Sequence, residues 1–261
     1  MEGIPPPGGA AGEGLAMAAR KRDWHSFDIA KDTILGGKYR VLGLLGAGWE
    51  GEVYLVRERG TGIDRAAKFF FPHRDPGNRN LTYYARKLHR LRHCPILLRY
   101  YTRESFQLAG RRLTCLVSDY VEGEPLSRFL ARQPGKRLDP FQALHLLHAL
   151  ADGVACIHAV GEYHGDLHGE NIIVRRRGLG FGVRLLDLFR WGNARRVNIQ
   201  EDVCDLARLL YDITGGRRLY ANQPPEIKGI CRGLKRSLIL ESFRTAGQLR
   251  RHLERLEWTS R

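Results

Sequence analysis

Four residues have types and spacing that could move a phosphoryl group: Lys68, Asp166, Asn171 and Asp187. Asp166 and Asn171 share the segment His164-Gly165-Asp166-Leu167-His168-Gly169-Glu170-Asn171, which runs into the apolar Ile172-Ile173-Val174. A carboxylate in such a loop can orient or accept the proton of an attacking hydroxyl, and an amide oxygen beside it can hold a metal ion. Asp187 ends a second apolar run, Val183 to Leu186, where a carboxylate can bind the magnesium that bridges phosphates. Lys68 follows Ala66-Ala67 inside a strand-like run and can reach inward to α- and β-phosphates. Each feature alone has a plainer reading, since strand-end aspartates are commonly turn residues and strand lysines commonly lie on the surface.

Gly46-Ala47-Gly48-Trp49-Glu50-Gly51-Glu52-Val53 fits G-x-G-x-x-G-x-V. In a dinucleotide-binding unit such glycines lead from strand into helix. Here a second strand pattern follows, which predicts a hairpin lying over phosphates.

These groups need elements to hold them. From Tyr39 the chain shows short β-type runs, Tyr39 to Leu45, Glu52 to Arg57 and Arg65 to Phe71, divided by glycine-bearing turns. Asn80 to Arg92 reads as a basic helix with Leu81, Tyr84, Leu88 and Leu91 on one face. Further strands are expected over Ile96 to Thr102 and Arg112 to Asp119. Asp139-Pro140 is a helix start, an N-cap acid before a first-turn proline, ahead of the stripe Phe141, Leu144, Leu147, Ala151 and Val154. Two more helices are expected, roughly Glu226 to Arg236 and Thr245 to Trp258. Strands with one helix, a connector and then mostly helices predict an α+β chain in two lobes, with a cleft between them as the natural ligand site.

Composition sets the wider bounds. The 261 residues suffice for one two-lobed domain, and residues 1–20, rich in Gly, Ala and Pro, read as a disordered tail. No run approaches the roughly 18 apolar residues of a membrane span, and no secretory signal opens the chain. That predicts a cytoplasmic protein, with export as an effector left open. Five well-separated cysteines form no CxxC pair and read as thiols in a reducing compartment. The net charge of +15 is spread along the chain as a solvated surface with an affinity for anions. Without a zinc finger, aromatic RNA-binding signature or helix-turn-helix pattern, nucleic acid is not the expected partner.

The order of glycine loop, strand lysine, D-x4-N loop and strand-end aspartate resembles the protein-kinase superfamily over roughly residues 38–258. The resemblance implies a bilobal kinase-like fold, with a small antiparallel N-lobe over about 38–118, a hinge at 119–124 and a reduced helical C-lobe over about 125–261. It implies ATP and Mg²⁺ as cofactors, with Gly46, Gly48, Gly51, Val53, Ala66, Lys68, Asp119 and Val121 around the nucleotide. Ser118 would be the gatekeeper. By the same resemblance Asn171 and Asp187 hold the metal, Asp166, Lys68 and His168 serve transfer, and Asp202 braces the catalytic loop.

Departures are as informative. No acidic residue lies between Asp75 and Glu104, so the helix that normally offers the lysine a glutamate cannot do so; Tyr84 falls near that position. Glu50 or Glu52 of the glycine loop could substitute. Gly165 stands where the family has the arginine that receives an activation-loop phosphate, and His168 where it has a lysine. Only fourteen residues separate Asp187 from Asp202, the metal-binding triplet reads Asp187-Leu188-Phe189, and Phe243 stands where a late arginine is expected. These features lead to a compact, constitutively active serine/threonine kinase acting on a protein hydroxyl. Two alternatives stay open: a small-molecule phosphotransferase, since the HGDLHxxN loop is also similar to aminoglycoside phosphotransferases, and a nucleotide-binding pseudokinase serving as an interaction module.

Overall fold

The computed structural model describes residues 25–108, 110–178, 180–188 and 195–257. The expected tail at 1–20, the stretch 189–194 with Phe189, and Trp258 at the end of the last expected helix lie outside the described residues.

The N-lobe is a six-stranded antiparallel sheet in the order β1-β2-β3-β4-β6-β5, built from β1 (Ile34–Leu35), β2 (Tyr39–Ala47), β3 (Gly51–Glu58), β4 (Asp64–Phe70), β5 (Tyr100–Leu108) and β6 (Arg111–Asp119). Alternation divides its two faces. Val41, Tyr54, Val56, Ala67, Phe69, Cys115 and Val117 point into one apolar cluster, which Phe27 and Ile29 cover from the chain preceding β1. The opposite face of β4 presents Ala66, Lys68 and Phe70 toward the cleft side, where α1 (Arg79–Arg90) packs through Leu81, Tyr84, Ala85 and Leu88. The Asp75 carboxylate caps α1 by accepting from the Asn80 and Leu81 amides at 2.8 and 3.0 Å, which settles where the helix starts.

Ile96 to Leu97 is not part of a strand. β5 begins at Tyr100, and the apolar character of Ile96 and Leu97 reflects burial in the connection from α1, where Leu97 bridges Leu185.

In the C-lobe, α3 (Pro140–Ala159) is the central pillar. Asp139 accepts from the Gln142 amide at 3.0 Å at its start, and Leu146, Leu147, Leu150, Ala151, Val154 and Ile157 are fully buried along it. At about 1.5–3 kcal/mol for each large apolar side chain removed from water, this stripe outweighs any local preference in fixing the helix. Around it lie α2 (Leu126–Ala131), α4 (Arg195–Ile213), α5 (Gly216–Leu219) and α8 (Ala246–Glu254). A small sheet of β7 (Glu124–Pro125), β8 (Ile172–Arg177) and β9 (Gly180–Leu185) carries the residues of interest.

The helix expected over Glu226 to Arg236 divides into α6 (Pro225–Cys231) and α7 (Arg236–Ser242). Between them Arg232, Gly233 and Leu234 take φ of +49°, +60° and +59°, a left-handed turn that ends one helix and redirects the next. Phe243 is buried and packs at a tilt against His252, with ring centres 5.1 Å apart, so an aromatic contact fills the place where an arginine was expected. Among the described residues no helix is long and apolar enough to cross a membrane. The α+β, two-lobed architecture expected from the sequence is present.

Candidate active site

The glycine hairpin is set by close approach. In β2–β3 pairing Gly46 faces Val53 and Ala47 faces Glu52, and the Gly48 amide donates to the Gly51 carbonyl at 2.9 Å. A Cβ on Gly51 would lie 1.8 Å from the Phe69 carbonyl oxygen, so only glycine lets β3 come this near to β4. The Phe71 amide donates to the Glu50 carbonyl at 2.9 Å, which fixes the tip of the turn over the end of β4.

That anchoring brings the Glu50 carboxylate to Lys68, at 3.2 Å from Nζ, while Asp187 reaches the same nitrogen at 2.6 Å. Glu50, from the glycine hairpin, is therefore paired with the lysine where α1 offers no acid. Glu52, the other candidate, is turned away: it is buried, accepts from the Phe27 amide at 3.0 Å and from the Tyr54 hydroxyl at 2.5 Å, and holds the N-terminal segment instead.

Tyr84 on α1 occupies the side of the site that the helix acid would take. Its hydroxyl accepts from the Asp187 amide at 3.1 Å and lies 3.4 Å from Asp187 Oδ1, and its ring lies 5.2 Å from Lys68 Nζ. The sequence places Tyr84 at this position without indicating its partner; a hydroxyl that bonds a backbone amide leaves no spacing signature.

The electrostatics follow from these contacts. Burial works against the Lys68 charge, but Asp187, Tyr84 and Glu50 outweigh it and hold the ammonium above its usual range. Burial likewise opposes the Asp187 charge, and Lys68 overcomes it, so the carboxylate stays below its usual range and ionised.

The loop between α3 and β8 is organised by Asp202, which is fully buried on α4. It accepts from the amides of His164 at 2.7 Å and Gly165 at 2.8 Å, and from His158 Nε2 at 3.0 Å. The Ala246 amide donates to His158 Nδ1 at 3.4 Å, so both ring nitrogens have partners. Gly165 has φ of +86°, a left-handed backbone. His164 is buried, and burial lowers its pKa; its Nε2–H donates to the Leu186 carbonyl at 2.8 Å and its Nδ1 accepts from the Asp166 amide at 3.3 Å.

Two hydrogen bonds thus join the loop to the residue preceding Asp187. His164 holds the Leu186 carbonyl, and the Leu186 amide donates to the Asn171 carbonyl at 2.8 Å. Asp166, Asn171 and Asp187 are brought to one cleft by this lacing.

The Asn171 amide nitrogen donates to Asp166 Oδ2 at 2.8 Å and to the Asp166 carbonyl at 3.0 Å. The Asn171 amide oxygen is left as a potential ligand, on a residue whose backbone is bonded to Leu186, the neighbour of Asp187. Hard oxygens of this kind suit Mg²⁺, and the Lys68 ammonium suits the phosphates such an ion would accompany. His168 Nε2 lies 3.4 Å from Asp166 Oδ2 and 3.0 Å from the Asn171 amide nitrogen, at the mouth of the same group.

On the hinge side, Ala66 faces the buried Ser118 across β4 and β6. The Asp119 amide donates to the Arg99 carbonyl at 3.1 Å, and the Asp119 carbonyl accepts from the Ser118 hydroxyl at 3.4 Å. Glu122 pairs with Arg175 and Glu124 with Arg132, so the connector is held to the C-lobe on both sides.

Known proteins share the architecture. The protein kinase domain model matches residues 39–221. The chain is 37 % identical over 173 residues to serine/threonine-protein kinase pkn2 of Myxococcus xanthus, and 35 % identical over 144 residues to putative cyclin-dependent kinase F-2 of Oryza sativa subsp. japonica. Those alignments cover 65 % and 54 % of this chain, but only 20 % and 44 % of the two relatives. The kinase domain of PknI from Mycobacterium tuberculosis superposes with a TM-score of 0.62 over 87 % of this chain and 98 % of that one, at 19 % identity, which supports the fold alone. On the extent of the matched model, this chain belongs to the protein kinase domain family.

Proposed function

We propose that the domain is a constitutively active serine/threonine protein kinase of compact, atypical form, using ATP and magnesium. The observation that carries this reading is the cluster of Lys68 with Asp187 and Glu50. The lysine that should meet phosphates is charged, held and supplied with a counter-charge even though α1 has no acid.

In this reading magnesium, when bound, neutralises the phosphate charge that builds as the phosphoryl group leaves. The residues of the chain do the rest. Lys68 binds the α- and β-phosphates, and the glycine hairpin closes over them. Asn171 and Asp187 offer the metal-binding oxygens. Asp166, oriented by Asn171, accepts the proton of the acceptor hydroxyl, and His168 lies where it can meet the transferred group. Gly165 cannot receive an activating phosphate, and Glu50 supplies the lysine's partner from the nucleotide loop itself; both support activity without a phosphorylation switch. Protein substrates are favoured by the named relatives, which are protein kinases.

The test is transfer from labelled ATP to generic protein substrates and to pooled metabolites, with Asp166→Ala as control. Asp166-dependent labelling of protein, falling by about 10²–10⁴-fold in the variant, is expected. Labelling confined to metabolites would replace the acceptor, and no Asp166-dependent transfer at all would overturn the catalytic reading.

A further inference from the structure

We propose that Cys94 and Cys156 form a reversible dithiol–disulfide site that staples the α1–β5 connection to α3. Cys94 lies in the turn that follows α1 and Cys156 in the penultimate turn of α3, 62 residues further on, yet their sulfurs are 2.7 Å apart. The other three cysteines have different neighbours: Cys231 lies against the Ala207 carbonyl, Cys204 against Arg236, and Cys115 is buried in the sheet cluster.

The approach is built into the seam. Gly153 and Cys156 share one face of α3, three residues apart. A Cβ on Gly153 would come within 2.1 Å of the Ile96 side chain, so the missing side chain is what lets the connection settle onto the helix. Cys94, two residues before Ile96, is then delivered to Cys156. The backbone there is fixed by the Cys94 amide donating to the Leu91 carbonyl at 2.8 Å and the Leu97 amide to the Cys94 carbonyl at 3.1 Å.

The two thiols differ in access, which assigns their order. Cys156 is half-buried and open to an oxidant, whereas Cys94 is buried. With hydrogen peroxide, the Cys156 sulfur takes one oxygen as a sulfenic acid and releases water; the Cys94 sulfur then displaces the hydroxyl as a second water, and the sulfurs leave joined. One peroxide is reduced and two thiols are oxidised. Burial pushes the Cys94 thiol up to about 12, so this closure is slower than that of a dedicated peroxide-reducing thiol, and contact between the sulfurs supplies its selectivity.

The staple lies close to the cleft. The Ile96 carbonyl accepts from the Leu185 amide at 2.8 Å, and Leu185 ends the strand that leads to Asp187. Oxidation would therefore stiffen the connection that holds the metal-side strand.

The full chain, treated with hydrogen peroxide and separately with glutathione disulfide, should lose the mass of two hydrogens and fall from five titratable thiols to three in denaturant. Non-reducing peptide mapping should join the peptides of Cys94 and Cys156, dithiothreitol should reverse the change, and the thermal transition should rise only in the oxidised form. Cys156→Ser, at a half-exposed position, should abolish all of these while leaving the reduced protein folded. Added oxygen or glutathione on Cys156 without a bond to Cys94, or bonds that pair other cysteines or separate chains, would overturn the proposal.

Discussion

At the scale of single residues, the site keeps its charges and changes their sources. Lys68 is 11 % exposed at its side chain, and a lysine so enclosed needs a partner. It has two, Asp187 and Glu50, while Tyr84 holds Asp187 from the far side through its amide and carboxylate. This division predicts the behaviour of Tyr84→Phe. The ring beside Lys68 remains and only the hydroxyl is lost, so folding should be little affected. Asp187 should be less well oriented, which lowers kcat about tenfold, or roughly 1.4 kcal/mol of transition-state stabilisation. Thermal shifts make the effect specific: stabilisation by ADP with magnesium should weaken, and stabilisation by ADP alone should not. An equal loss in both would assign Tyr84 to packing. Lys68, Asp166, Asn171 and Asp187 could be singled out in the sequence because their spacing follows the order of strands and loops. The role of Tyr84 was not, since its partner lies 103 residues away and is reached by folding alone.

At the scale of elements, an apolar face marked the longer strands of the N-lobe and the helices α1, α3 and α8 in the sequence, while the short β1 and α2 left no such mark and apolar residues at a junction misled. Ile96 and Leu97 look like the start of a strand, yet they are the ledge on which α1, α3 and β9 meet. The long helix expected at 226–236 breaks because three successive residues turn left-handed, which the pattern of apolar residues does not record. The junction at Gly153 gives a sharp prediction. Glycine to alanine within a helix ordinarily stabilises by about 0.5–1 kcal/mol. Here the new methyl would collide with Ile96, so Gly153→Ala should destabilise by about 1–3 kcal/mol instead. Combining it with Ile96→Ala should cost less than the sum of the two changes, because the second removes what the first strikes. Denaturant unfolding of the four proteins measures this directly, and simple additivity would show that the collision is relieved elsewhere.

At the scale of the whole molecule, an excess of fifteen positive charges coexists with acids gathered behind the loop of His164 to Asn171. Asp202 is kept there by the amides of His164 and Gly165 and by His158, while Asp205 sits one turn further along the same face of α4. Burial, followed by the neighbouring charges of Asp202 and Glu201, pushes Asp205 up to about 7 from an ordinary 3.8. The sign follows from linkage. Between pH 3.8 and 7 the folded protein holds a proton on Asp205 that the unfolded chain has released, so folding becomes less favourable as pH rises through that window and levels off above it. Asp205→Asn removes the charge without changing the shape. The variant should melt above the parent at pH 8, and the difference should shrink steadily on lowering the pH toward 4. Because the basic surface is the same in both proteins, its repulsion cancels in the comparison. A difference that stays constant with pH would mean that the amide improves packing or hydrogen bonding, and that Asp205 is ionised in the folded state throughout.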